Sequence, residues 1–309
     1  MALQIFVNLK RFDVPRAAGG VCDVTPADAW IEAVIAESVA LGLGASPTAE
    51  VVFFVPEALV VPAIAALERA APERRAGIAV GCQGVHRDDV RPGGNFGAFT
   101  TNRPAAAMVA AGCGWVLVGH SEARRDKLGI IETYATAAGA AVDADAAAAA
   151  VDRLLNQELL AALGAGLDVL ACVGETAAER GEGTPEEQAE RVRAVLARQV
   201  ARLLDGAAAF AGERQIALAY EPVWAIGPGK VPPGPDVIGF AATCVKEAAA
   251  AVLGAAPAVV YGGGLKEENA AAICAAPSVD GGLVALTRFT PPIGFSPAEL
   301  ARIVAAATA

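Results

Sequence analysis

Along this chain, short runs rich in Val, Ile, Leu and aromatic residues alternate with longer stretches in which Ala, Leu, Glu and Arg recur at helical spacing. A short apolar run bounded by turn residues fits a strand buried on both faces, whereas the longer periodic stretches fit amphipathic helices. Eight runs predict strands, over residues 4–8, 51–55, 78–82, 115–119, 168–173, 215–220, 258–261 and 282–286. A helical stretch follows each. Thr25-Pro26 and Thr184-Pro185 read as helix starts, with an N-cap hydroxyl and a proline at the first helical position. The Ala-rich run 146–150 is low in complexity, but alanine is the best helix former, so it also reads as helix.

Strict alternation of strand and helix favours parallel strands covered by helices. Eight units suffice to close a (β/α)8 barrel, in which active sites form at the C-terminal strand ends. A doubly wound open sheet is the competing arrangement. It ordinarily carries a Gly-rich phosphate loop after its first strand, and here that strand runs into Asn8-Leu9-Lys10-Arg11-Phe12 instead. No break in composition marks a second domain, so 1–309 reads as one domain. Its length exceeds a typical barrel of about 250 residues. The surplus falls in 11–25, 127–160 and 287–297.

Composition adjusts this picture in three ways. Hydrophobic residues make up 55% of the chain but aromatics only 5%, so the core is expected to be built from Ala, Val and Leu. No uninterrupted apolar run reaches about 18 residues, the length a spanning helix needs, and no signal peptide is visible at the start. Six scattered cysteines (Cys22, Cys82, Cys113, Cys172, Cys244 and Cys274) show no CxxC pair or metal-like spacing and read as buried thiols in a reducing cytoplasm. A formal charge of −10 argues against nucleic acid or an anionic membrane as partner. An anionic substrate must then be drawn by local features such as helix N-termini and a few Lys or Arg.

Chemistry concentrates in Ala219 to Lys230, AYEPVWAIGPGK. A strand delivers Glu221 at its tip, where a carboxylate can serve as general base. The apolar segment beside it can fold over a substrate and exclude water, and Gly227 lets a backbone N–H approach an anion. After the first strand, Asn8 and Lys10 are two apart and are expected to point to the same side, with the Lys10 ammonium offsetting charge on an enediolate. After the fourth, VGHSEARRD puts His120, Ser121 and Glu122 at a strand tip. YGGGL (261–265) and VDGGLVALTRF (279–289) follow or contain the last two strands, whose loops in such barrels often cradle phosphate through backbone N–H groups.

These motifs, in this order, resemble the triosephosphate isomerase family over residues 4 to about 286. The resemblance implies a (β/α)8 TIM barrel that interconverts dihydroxyacetone phosphate and glyceraldehyde 3-phosphate in glycolysis and gluconeogenesis, with no metal or organic cofactor. By the same resemblance, Glu221 moves the proton, His120 polarises the carbonyl as a neutral imidazole, and Lys10 and Asn8 complete the catalytic group. Ser121 and Glu122 support them, Glu122 by ordering Lys10 or a backbone amide. Gly227, Gly263, Gly264, Ala285 and Leu286 hold the phosphate, and 222–230 forms the lid. The Gly-rich segment 83–101, from Gln83 to Thr101, resembles the family's interdigitating loop, with Thr100 in the matching place, and implies a cytoplasmic homodimer.

Departures cluster on the phosphate side. The family usually has Ser where Gly264 stands, a Gly pair where Ala285 and Leu286 stand, and Thr where Pro228 stands. Arg288 reads either as a compensating phosphate-binding guanidinium or as a solvent-facing arginine on the inserted loop. Ala123 sits before Arg124-Arg125 and is read as displacing those arginines by one position. His86 reads as a surface or interface histidine, Cys172 as packing, and Glu175 as a helix-start or salt-bridge residue. Two other functions fit the pattern: an isomerase of a four-carbon ketose phosphate using the same site, and a silent paralogue with a structural or regulatory role.

Overall fold

The computed structural model describes residues 2–227 and 229–309; Pro228 of the lid lies outside the described residues. Eight parallel strands pair in sequence order and close on themselves, β1 to β8, which excludes the open doubly wound sheet. The strands are β1 (Leu3–Asn8), β2 (Ala49–Val55), β3 (Ile78–Cys82), β4 (Trp115–Val118), β5 (Asp168–Val173), β6 (Ile216–Tyr220), β7 (Ala258–Tyr261) and β8 (Gly281–Val284). The last strand ends two residues earlier than the sequence suggests, which leaves Ala285 and Leu286 in the loop above the barrel.

Helices cover the outside. They are α1 (Ala27–Ala40), α2 (Val60–Glu68), α3 (Pro72–Arg75), α4 (Ala105–Ala110), α5 (Ser121–Ala137), α6 (Ala144–Ala165), α7 (Ala177–Arg180), α8 (Pro185–Leu203), α9 (Pro235–Leu253), α10 (Glu267–Cys274) and α11 (Pro297–Ala307). Thr184 caps α8 in a reciprocal capping box with Glu187, as its sequence suggests. Thr25 does not cap α1: Pro26 takes the N-cap position in an extended conformation, and the helix begins one residue late. The long segment between β4 and β5 is two consecutive helices, α5 and α6, and the Ala-rich run lies inside α6. Among the described residues, no helix is long and apolar enough to cross a membrane.

Alternation along the strands sorts residues into two layers. Phe6, Val52, Phe54, Trp115, Leu117, Leu170, Cys172, Ala217, Ala219, Val260 and Leu283 fill the barrel interior. Their neighbours, such as Ile5, Val7, Phe53 and Leu218, pack outward against the helices. Inside, large rings from one half meet small residues from the other. Phe6 stacks on Phe54 at 5.8 Å and meets Trp115 edge-on at 5.2 Å, while β6 offers only Ala217 and Ala219. The next inward position along β6 is Glu221. The filled interior thus acts as a floor beneath the strand tips.

Candidate active site

Glu221 follows β6 directly and is only 4% exposed. Its N–H donates to the Val173 carbonyl at 2.8 Å, which ties the tip of β6 to that of β5. This approach needs glycine at 174, because a Cβ there would lie 1.8 Å from the Glu221 carbonyl oxygen. Gly262 lies against the side chain on the other flank, where an added Cβ would be 3.0 Å from Glu221 Cγ. The carboxylate reaches across the mouth. Oε2 accepts the Ser121 N–H at 3.0 Å and Oε1 lies 3.3 Å from His120 Nε2. Burial pushes the Glu221 carboxyl above its ordinary range, and His120, the Ser121 N–H, Lys10 and Arg124 oppose that shift without cancelling it.

His120 is the N-cap residue of α5, and its Nδ1 accepts the Glu122 N–H at 3.3 Å. With Nδ1 accepting, Nε2, the atom facing Glu221, is the ring nitrogen left to donate. Arg124 braces the backbone below. It donates to the carbonyls of Gly119 and Cys172, each at 3.0 Å, and to buried Asp152 at 2.7 Å. Arg124 therefore sits at the β4–β5 seam, directly after Ala123. Cys172 packs inside the barrel as expected; burial raises its thiol strongly, and nearby Glu221 adds to the effect.

Lys10 is reached by a turn rather than by strand alternation, since β1 stops at Asn8. Its φ is +42°, a left-handed conformation uncommon for a residue with a side chain. Asn8 Oδ1 holds that turn by accepting the Lys10 N–H at 3.0 Å, and Gln83 Nε2 donates to the Lys10 carbonyl at 2.9 Å. The Asn8 side-chain oxygen thereby positions Lys10. Lys10 Nζ lies 3.1 Å from Glu122 Oε1. Burial alone would raise the Glu122 carboxyl, but Lys10, helped by His120 and Arg125, outweighs it and holds the group below the usual range. Gln83 escaped the sequence reading as a site residue; its place at the tip of β3 was the available signal.

The start of the lid is pinned. One 3-10 turn, Val223–Ala225, follows Pro222, and Trp224 Nε1 donates to Glu175 Oε1 at 2.6 Å. The same oxygen accepts the Tyr220 hydroxyl at 3.0 Å, and Arg180 lies over the Trp224 ring at 4.0 Å. Glu175 has no solvent exposure and anchors the lid, which corrects its reading as a helix-start or salt-bridge residue. Gly227 takes a φ of +120° beyond that anchor.

At the tips of β7 and β8, backbone replaces side chains. The carbonyl of Gly263 accepts the Tyr261 hydroxyl at 2.6 Å, and that of Gly264 accepts Asn269 Nδ2 at 3.1 Å. The N–H groups of Gly263, Gly264, Leu265, Ala285 and Leu286 donate to no other group among the described residues. Such a set of free donors is a ready anion contact. Arg288 is not part of it. Its Nε donates to Glu299 Oε1 at 3.0 Å, and its backbone pairs with Gly294 to close the neck of the inserted loop. The expectation of a compensating guanidinium is corrected by this local ion pair. His86 lies in the 83–101 loop with its ring edge-on to Phe99.

Comparison with known proteins places the chain in a family. The sequence model described as triosephosphate isomerase matches residues 43–292. The triosephosphate isomerase of Halorhodospira halophila is 35% identical over 233 residues, 74% of this chain and 79% of that protein. That of Nitratidesulfovibrio vulgaris is 36% identical over the same shares, and that of Acidiphilium cryptum 35% identical over 78% of this chain and 81% of the relative. The crystal structure of triosephosphate isomerase from Bartonella henselae superposes with a TM-score of 0.65, covering 99% of each chain at 23% identity, and so supports the fold. The chain belongs to the triosephosphate isomerase family.

Proposed function

We infer that this chain is an aldose–ketose isomerase that interconverts dihydroxyacetone phosphate and glyceraldehyde 3-phosphate through an enediolate. The observation that carries the reading is the meeting of the Glu221 carboxylate and His120 Nε2 at 3.3 Å, with the Lys10 ammonium, paired to Glu122, near enough to act on the Glu221 carboxyl. Glu221 takes a proton from the carbon next to the substrate carbonyl and returns it to the neighbouring carbon. The His120 Nε2–H donates to the substrate oxygens as charge develops, and Lys10 offsets that charge. Protons are the only species moved, so these side chains suffice without a metal or organic cofactor. The phosphate rests on the N–H groups at the tips of β7 and β8 and on Gly227. Closure of 222–230 about the Trp224 anchor excludes water and protects the enediolate from phosphate loss.

The enzyme works as a single-domain barrel in a cytoplasmic homodimer built through residues 83–101. That loop carries Phe96, 89% exposed, on a segment without helix or strand, as suits a surface covered by a second copy. A coupled assay of purified protein with glyceraldehyde 3-phosphate, alongside erythrulose phosphates and with Glu221→Gln as background, tests the reading. Turnover of the triose supports it. Turnover of the tetrulose phosphates alone re-assigns the substrate, and silence on all of them in a folded protein removes the enzymatic reading.

A further inference from the structure

The substrate named above is a phosphate ester, and the protein carries a formal charge of −10, so its overall field repels what it must bind. Most cations of the strand-tip loops are neutralised locally. Lys10 faces Glu122, Arg288 faces Glu299, and Arg16 donates to Asp23 through Nη2 at 3.0 Å. Lys266 is different. Among the described residues its ammonium pairs with no carboxylate; it sits 4.3 Å from the centroid of the Phe289 ring. An aromatic face can hold an ammonium in place without cancelling its charge, as a carboxylate would.

The two partners belong to the two loops that carry the free N–H groups. Lys266 is the N-cap residue of α10, two positions after Gly264, and its backbone is fixed by Asn269, which accepts the Lys266 N–H at 2.7 Å and also holds the Gly264 carbonyl. Phe289 lies three positions after Leu286, at the start of the inserted loop. That loop is fastened at its neck: Thr287 Oγ1 accepts the Ser296 N–H at 2.8 Å and donates to Glu299 at 3.0 Å. Phe295, at its far end, packs edge-on against the buried ring of Phe53. The insertion therefore presents Phe289 on a firm base.

We propose that Lys266, held by Phe289, is a positioning residue for the anionic end of the substrate, and that the insertion after β8 serves this reaction by keeping an unneutralised positive charge there. This role rests on the reading that the phosphate binds at the tips of β7 and β8. Such a charge acts on binding and leaves the proton transfers alone, so it raises affinity for the anion and changes turnover little.

Steady-state kinetics with inorganic phosphate as competing ligand test it, at about 10 mM and about 300 mM ionic strength, where screening is respectively weak and strong. At low ionic strength Lys266→Met raises KM for glyceraldehyde 3-phosphate and the inhibition constant of phosphate about fivefold, with kcat within about twofold. High ionic strength shrinks the difference from wild type. Lys266→Arg restores both constants, and Phe289→Leu raises them about twofold by freeing the ammonium. A purely structural lysine shifts the melting temperature with no such salt dependence. Equal phosphate inhibition of wild type and Lys266→Met at low ionic strength, or a loss confined to kcat, overturns the role of Lys266. Failure of phosphate to inhibit the wild-type enzyme overturns instead the reading of the phosphate site on which the role rests.

Discussion

At the Glu221 end of the site the acting side chains are held by protein partners, whereas at the β7–β8 end five backbone N–H groups have none among the described residues. The first end is set in advance: Ser121 fixes the carboxylate, the Glu122 N–H fixes the imidazole, and Asn8 and Gln83 fix the turn that carries Lys10. The second presents donors that a ligand can use. The difference matches the tasks: a proton moves only between atoms held at hydrogen-bond distance, while an anion is held by several weak contacts of broad geometry.

The largest effect should come from the proton-transfer end. Glu221→Gln is expected to cost about 10³-fold in kcat, because the amide cannot accept the substrate proton. The same substitution should raise the melting temperature near neutral pH. Burial raises the folded carboxyl above its unfolded value, so the ionised form weakens the fold there, and stability from this group is lost as pH rises through the folded value. A lower melting temperature for Glu221→Gln would show that Ser121 and His120 more than compensate for the burial.

The pH profile sharpens the same point. Glu221 acts only when ionised, so kcat/KM falls as pH drops through its raised pKa, and the acid limb should lie above the usual carboxylate value of about 4.3. A limb at or below that value in kcat/KM would assign the base to a more exposed group.

Glu175→Ala probes the boundary between the two ends. It leaves the Tyr220 hydroxyl and the Trp224 indole N–H without their acceptor, at a stability cost of about 1–3 kcal/mol. Turnover should fall about tenfold as the lid loses its anchor, which limited proteolysis within 222–230 would reveal independently. The smallest effects belong to the phosphate end. Replacing Ala285 and Leu286 together by glycine should lower KM by about threefold by opening the approach to their N–H groups. Arg288→Ala should leave phosphate inhibition within about twofold while lowering the melting temperature, as befits a guanidinium engaged with Glu299. A large loss of phosphate affinity in Arg288→Ala would return that residue to the binding site.

The regular part of the barrel was legible because strand and helix periodicities are local, and eight units in alternation leave few closed arrangements. Strand ends were found within a residue or two, and Glu221, His120 and Lys10 stand out because each sits at such an end. What escaped depends on contacts between distant segments. Nothing near Glu175 announces that it accepts from Tyr220 and Trp224, which lie 45 and 49 residues away. Gln83 looked like the first residue of a surface loop, yet it holds Lys10 from 73 residues away. The ion pair that removes Arg288 from the phosphate end forms only when the inserted loop folds back onto α11. The left-handed turn at Lys10 was equally hidden, because a lysine after a strand gives no sign of positive φ.

The most direct test of a prearranged proton relay is isomerisation of glyceraldehyde 3-phosphate in deuterium oxide, followed by proton NMR of the product. A carboxylic proton on Glu221 exchanges with solvent during the enediolate's lifetime, so a fraction of the dihydroxyacetone phosphate should carry deuterium on the carbon that gained the proton. Glu221→Gln should lose the labelling and cut turnover by about 10³-fold. Product formed with no deuterium at that carbon, or labelling that persists unchanged in Glu221→Gln, would contradict the account.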